Sequence, residues 1–202
     1  DGTGELAEDL AKQYAGRISV MHRPGKQGLG TAYLQGFTQA LVEGADFICQ
    51  MDADFSHSPQ KIVEMYAEIE NYDLVIGSRY VEGGELDRDW PIWRKWLSSF
   101  GNIYARIILW LPVRDVTAGF RMWRKHVLES MPLHRVRSNG YAFQIEMANM
   151  AYRLGFRIKE IPIYFAERNR GTSKMSLQIQ LEAALRVFQI LLAYRDLKSI
   201  KQ

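Results

Sequence analysis

Short apolar runs alternate with helical repeats from residue 3 to residue 77, and this rhythm restricts the fold more than any other feature. Thr3 is placed to cap a helix through Leu6, Leu10 and Tyr14, which Gly16 ends. Residues 17–21 read as a short strand. Tyr33, Leu34, Phe37 and Leu41 carry a helical repeat, and residues 45–51 read as a buried strand. A second amphipathic helix follows (Ile62, Val63, Met65, Tyr66, Ile69), and then a buried strand over 72–77. Helix and strand in regular succession imply parallel crossover units, hence an α/β fold with a mostly parallel sheet flanked by helices. The chain opens at Asp1-Gly2-Thr3-Gly4, without a methionine, in what reads as a turn, so a first strand is expected to be missing upstream.

Two carboxylates stand where the central strand should end. In Gln50-Met51-Asp52-Ala53-Asp54-Phe55-Ser56-His57-Ser58-Pro59, the aspartates are two residues apart, and residues at that spacing on an extended chain point the same way. Asp52 and Asp54 would then face one point beyond the carboxyl edge of the sheet, where open α/β folds bind ligands. Like charges held close need a cation between them, and a hard divalent ion such as Mg²⁺ or Mn²⁺ suits two carboxylates. The competing reading is a solvated acidic turn with Asp54 as helix cap.

Composition sets outer limits. At 202 residues and 47% hydrophobic content, one domain over 1–202 is the expectation. A net charge of +3 fits anionic ligands or an anionic membrane surface and is too weak to indicate nucleic acid. The lone cysteine, Cys49, sits in an apolar run and reads as core packing in a reducing compartment. The most apolar stretch, 103–113, is too short to span a bilayer and contains Arg106.

Further polar groups punctuate the chain. Arg23 to Ala32 form a basic, glycine-rich loop in which backbone N–H groups and Lys26 can meet phosphate, although it matches neither a dinucleotide fingerprint nor a P-loop. Arg79 follows the strand over 72–77 and is well placed for phosphate or for a surface ion pair. Residues 81–89 read as a mobile loop. Residues 90–111 form a long helical repeat loaded with tryptophan, with Arg94 and Ser98 on one face; tryptophans of this kind suit either a membrane–water boundary or a core. Glu146 lies in an apolar helix as a functional carboxylate or a buried acceptor. Residues 156–163 alternate like an edge strand, and residues 176–197 form a last amphipathic helix.

Taken together, these motifs resemble the polyprenyl-phosphate (dolichol-phosphate) mannosyltransferases, family 2 glycosyltransferases of the Rossmann-like GT-A fold. Asp1-Gly2-Thr3 resembles the tail of an acidic D-D-x-S-x-D-G-T motif, and Lys26 to Ala32 the loop K-x-G-L-G-x-A. Asp52-Ala53-Asp54 with His57 and Pro59 resembles the metal-binding segment. The matches continue through Gly77-Ser78-Arg79-Tyr80, the Arg94/Ser98 pair and Asp115-Val116-Thr117-Ala118-Gly119-Phe120-Arg121. They end with Gly140-Tyr141-Ala142-Phe143-Gln144-Ile145-Glu146-Met147 and with Glu167, Arg168, Gly171, Ser173 and Lys174.

The resemblance implies inverting, metal-dependent transfer of mannose from GDP-mannose to a polyprenyl phosphate. It implies donor binding by Asp1, Lys26, Gly28, Asp52, Ala53 and Asp54, and acceptor-phosphate binding by Arg79, Arg94, Ser98, Arg168 and Lys174. Asp52, Asp54, Arg79 and Arg168 would be catalytic, with Asp115, Gln144 and Glu146 in support. Mg²⁺ or Mn²⁺ would sit on Asp52 and Asp54, with Ser56 a weak ligand where relatives often carry glutamine. The expected setting is peripheral, on the cytoplasmic face of a membrane or on a membrane-anchored partner subunit. Helices over 90–111 and 176–197 are the candidate membrane-surface elements. The rival readings are a polyprenyl-phosphate glucosyltransferase of the same fold and a non-catalytic binding module for nucleotide sugar or lipid phosphate.

Overall fold

The computed structural model describes residues 2–166 and 177–200, with the backbone alone over 177–183. Its centre is a four-stranded sheet made of β1 (Phe47–Gln50), β2 (Leu74–Ser78), β4 (Arg121–Arg124) and β5 (Ile158–Pro162), in the order β1-β4-β2-β5. β2 and β5 pair in parallel, while β4 runs antiparallel to both β1 and β2. Three strands thus share one direction and the fourth is inserted against them. The sheet is mixed, where crossover logic had implied a mostly parallel one. That logic sees only the regular alternation before residue 77 and is blind to how a later strand enters.

Helices cover both faces. α3 (Lys61–Ile69) packs on one face through Met65 and Ile69, against Val75, Met122 and Phe120. The other face carries the larger cluster, where Leu74, Ile76 and Trp123 meet side chains of α2 (Leu29–Val42), α4 (Ile92–Leu109) and α6 (Gly140–Arg153), with α7 (Leu177–Ala193) outside them. Alternation along β2 explains this division. Leu74 and Ile76 point one way and Val75 the other, and all three are fully buried. α1 (Thr3–Gln13) lies before these layers and buries none of its residues, and α5 (Lys125–Ser130) follows β4 directly.

Some local expectations change. Residues 17–21 form no strand, because no described strand lies alongside to complete a ladder. The segment 81–89 is tied rather than loose: β3 (Glu85–Leu86) pairs in parallel with β6 (Tyr164–Phe165). Cys49 is exposed, since β1 is the outermost described strand of its sheet and only Ile48 and Gln50 turn into the core. Pro162 does end an edge strand, as its missing N–H requires.

Glu146 is a buried acceptor. Its carboxylate receives the Ser138 N–H at 2.9 Å and the Tyr194 hydroxyl at 2.7 Å, which ties α6 to the chain just beyond α7. Burial, and then the hydrogen bond to Glu146 and its charge, push the Tyr194 pKa far above its ordinary value, so the hydroxyl stays a donor. Tyr194→Phe should lower stability by about 1–3 kcal/mol, read as a fall in the urea midpoint, because Glu146 loses a bond it cannot replace with water.

Candidate active site

The strand directions concentrate polar groups at one edge of the sheet. β1 ends at Gln50 and β2 at Ser78, and β4 begins at Arg121, opposite Gln50 in register. Because β4 is reversed, the turn 115–120 that precedes it lands beside Asp52, Asp54 and Arg79, which follow β1 and β2. β5 ends at the same edge, with Pro162 opposite Ser78. The result is a cleft of about 620 Å³ whose walls include Asp52, Asp54, His57, Arg79, Trp90, Arg94, Tyr141 and Gln144.

Backbone geometry aims the acidic wall. Tyr33 donates its hydroxyl to Asp52 at 3.3 Å. The Asp52 N–H donates to Nδ1 of His57, also at 3.3 Å, and burial holds the His57 pKa below its ordinary value, so the ring is neutral near pH 7. Asp54 receives the Ser56 N–H at 3.1 Å and the Ser56 hydroxyl at 2.5 Å. Ser56 is therefore buried and spent on orienting Asp54, and it does not line the cleft as a metal ligand would. Phe55, between them, adopts a left-handed backbone with φ 63°, a strained conformation for a bulky residue.

Among the described residues, no three His, Cys, Asp or Glu side chains converge as a metal cage. Asp52 and Asp54 still suit a hard cation that takes its remaining oxygens from a diphosphate and water, the usual manner for Mg²⁺.

The basic wall is built on one buried ion pair. Asp115 is fully buried and accepts from Nε and Nη2 of Arg79, each at 2.7 Å, and from the Arg79 N–H at 2.9 Å. Thr117 accepts a further bond from Nη2 at 2.8 Å. Burial alone would lower the Arg79 pKa, yet the Asp115 charge and hydrogen bonds hold it above the ordinary arginine value. Asp115 is fixed in turn by Glu160 of β5, which accepts the N–H groups of Arg114 and Asp115 at 2.7 and 2.8 Å. Nη1 of Arg79 has no partner among the described residues and is the fork's remaining donor group. Arg94, on the first turn of α4, lies 3.6 Å over the indole of Trp90.

Some expected residues stand elsewhere. Ser98 accepts the Tyr80 hydroxyl at 2.8 Å and does not line the cleft. Lys26 is exposed on its loop and Gly28 immediately precedes α2; neither lines the cleft. The loop is braced by Arg23 and Thr31, and a Cβ at Gly30 would collide with the Ser138 carbonyl. Glu146 does not line the cleft. Asp1, Arg168 and Lys174 lie outside the described residues.

Two residues that the sequence reading quoted within motifs, without assigning them a role, hold the site together. Gln50 donates to the Gly119 carbonyl at 2.8 Å and to Gln144 at 3.0 Å, and accepts from the Trp123 indole at 3.0 Å. Arg121 is fully buried and donates to the carbonyls of Val116, Ala118 and Gln144, each at 2.9 Å; burial draws its pKa down to about 10. A glutamine within an apolar strand was the available signal for the first.

Residues 1–131 match the family model described as Glycosyl transferase family 2. Polyprenol monophosphomannose synthase of Mycolicibacterium smegmatis is 45% identical over 188 residues, 93% of this chain and 71% of that protein. Undecaprenyl-phosphate mannosyltransferase of Micrococcus luteus is 44% identical over 195 residues, 96% of this chain and 79% of that protein. Among solved structures, glucosyl-3-phosphoglycerate synthase of Mycobacterium tuberculosis, in complex with Mn²⁺ and UDP-glucose, superposes with a TM-score of 0.60. It is 20% identical, and the match covers 96% of this chain and 64% of that one, a likeness that establishes the GT-A fold. The chain belongs to glycosyl transferase family 2, within the polyprenyl-phosphate mannosyltransferase group.

Proposed function

We propose that this protein transfers mannose from GDP-mannose to the phosphate of a polyprenol, with inversion at the anomeric carbon. The observation that carries the reading is that one cleft is lined both by the paired carboxylates Asp52 and Asp54 and by the arginines Arg79 and Arg94. It is supported by the identity to two proteins named for mannose transfer to polyprenol phosphates.

The acceptor is already an anion near neutral pH. One of its phosphate oxygens attacks the anomeric carbon, the bond to the diphosphate oxygen breaks, and GDP departs with the bonding electrons. No strong base is needed, which fits a cleft whose histidine is neutral and engaged by a backbone N–H. Catalysis then rests on orientation and electrostatics. Arg94 and the Nη1 edge of Arg79 hold the acceptor phosphate, and Tyr33 and Ser56 keep the two aspartates aimed. Asp52 and Asp54 would hold Mg²⁺ or Mn²⁺, which would neutralise charge on the leaving diphosphate. In this reading Asp115 acts through Arg79 and Gln144 through the turn 115–120.

The experiment is a transfer assay with farnesyl phosphate as acceptor and either GDP-mannose or UDP-glucose as donor, the product read by mass. Mannosyl transfer that stops with EDTA and returns with Mn²⁺ is expected. Glucosyl transfer, or none by folded protein, would refute the assignment.

The lipid tail of the acceptor explains an otherwise costly surface. Trp93, Trp96, Phe100, Ile103, Ile107 and Trp110 recur at spacings of three and four along α4 and its cap, and all are exposed, Trp96 at 74% and Trp110 at 83%. Leu185, Phe188 and Leu192 add to the exposed apolar surface from α7. No described helix is long and apolar enough to cross a membrane. We read these faces as the surface that rests on the cytoplasmic face of a membrane, or on a membrane-anchored subunit there. α7 also buries Val187 and Ile190, so deleting it would damage the core. Replacing Trp93 and Trp96 together with serine is the cleaner test. It should cut co-sedimentation with anionic vesicles at least tenfold while leaving the melting temperature within about 2 °C; undiminished binding would contradict the membrane role.

A further inference from the structure

Trp90 lines the cleft, is 7% exposed, and has no part in the chemistry above. It is firmly held. Its N–H donates to the Asp87 carbonyl at 3.3 Å, and Asp87 in turn donates to the Phe165 carbonyl at 3.0 Å, an extension of the β3–β6 pairing. Yet the indole Nε1–H is buried and makes no hydrogen bond among the described residues. An unmade buried donor is costly, and proteins seldom retain one without a use for it. The other buried side-chain atoms in that condition, on Arg23, Arg106, Ser138 and Asn149, belong to residues that do not line the cleft. Trp90 is thus the one orphaned donor among the described residues that lies at the site.

Its neighbours specify the charge of the missing partner. The Arg94 guanidinium lies 3.6 Å over the Trp90 ring. Phe165 meets the same ring edge-on, with centroids 5.8 Å apart. The Arg79 guanidinium lies 5.3 Å from the Phe165 centroid. Two cations are therefore mounted on two touching aromatic rings. An indole N–H can only donate, and on a ring that carries one arginine and touches a second ring carrying another it complements a group that accepts and carries negative charge. A phosphate monoester meets both conditions.

We propose that Trp90 is a third donor of the acceptor-phosphate subsite. Its Nε1–H donates to a phosphate oxygen held by Arg79 and Arg94, and its ring fixes the direction of Arg94. The inference rests on the reading of this cleft as the polyprenyl-phosphate site.

Trp90→Phe separates the N–H from the ring, since phenylalanine keeps an aromatic face beneath Arg94 and removes only the donor. Calorimetric titration of farnesyl phosphate into the full chain should show binding weakened about tenfold in W90F, with GDP-mannose affinity unchanged within about twofold. The melting temperature should hold or rise, because the free protein loses no hydrogen bond. Unchanged farnesyl phosphate affinity would overturn the proposal, as would a lowered melting temperature with both ligands weakened alike. If W90F fails these expectations while the wild type binds farnesyl phosphate, only the role of Trp90 falls. If the wild type itself binds no farnesyl phosphate, the acceptor reading of the cleft falls, and this inference with it.

Discussion

The buried pair between Arg79 and Asp115 is the interaction on which the site depends. It joins the end of β2 to the turn that feeds β4, and it does so out of reach of water, with three hydrogen bonds from one residue to one carboxylate. Removing either partner from such a pair leaves a bare buried charge, at a cost of about 3–5 kcal/mol. The pair also leaves one edge of the guanidinium uncommitted. The same contact that stabilises the fold therefore delivers a positively charged donor to the cleft. Arg79→Ala consequently cannot serve as a pure probe of acceptor binding, since its first effect falls on the fold.

Around this pair the molecule spends buried polar groups on positioning. Gln50 bridges a backbone carbonyl, a second glutamine and an indole N–H, and Arg121 ties together three carbonyls behind the turn. Each group is fully engaged by fixed partners, the condition under which a buried polar network rigidifies its surroundings. The cleft lining is then free to specialise. It combines carboxylates held by Tyr33 and Ser56 with arginines mounted on Trp90 and Phe165. The exposed aromatic stripe begins on the same helix that carries Arg94, so a lipid tail and its phosphate would meet consecutive turns of one element.

Much of this was legible before any coordinates. The helix and strand periodicities located β1, β2, α3, α4 and α6, and the Asp52/Asp54 spacing pointed to the sheet edge where the cleft opens. The reversal of β4 was not legible, because strand direction depends on pairing partners far away in the chain. Residues 17–21 have the composition of a strand, but composition cannot supply a neighbour. Ser56 and Ser98 sit at motif positions, yet the Ser56 hydroxyl donates to Asp54 and Ser98 accepts the Tyr80 hydroxyl outside the cleft lining, contacts that a motif cannot reveal. Trp90 was read only as one tryptophan among several. Its distinction from Trp93 and Trp96, buried against exposed, comes from the small β3–β6 ladder that the sequence gives no hint of.

Arg79 and Asp115 act as one unit, and a double-mutant cycle in urea unfolding measures that directly. Arg79→Ala and Asp115→Ala should each cost about 3–5 kcal/mol, and the double variant little more than either alone, a coupling of at least about 2 kcal/mol. Losses that simply add would show that the two residues stabilise the protein independently, and would contradict the account.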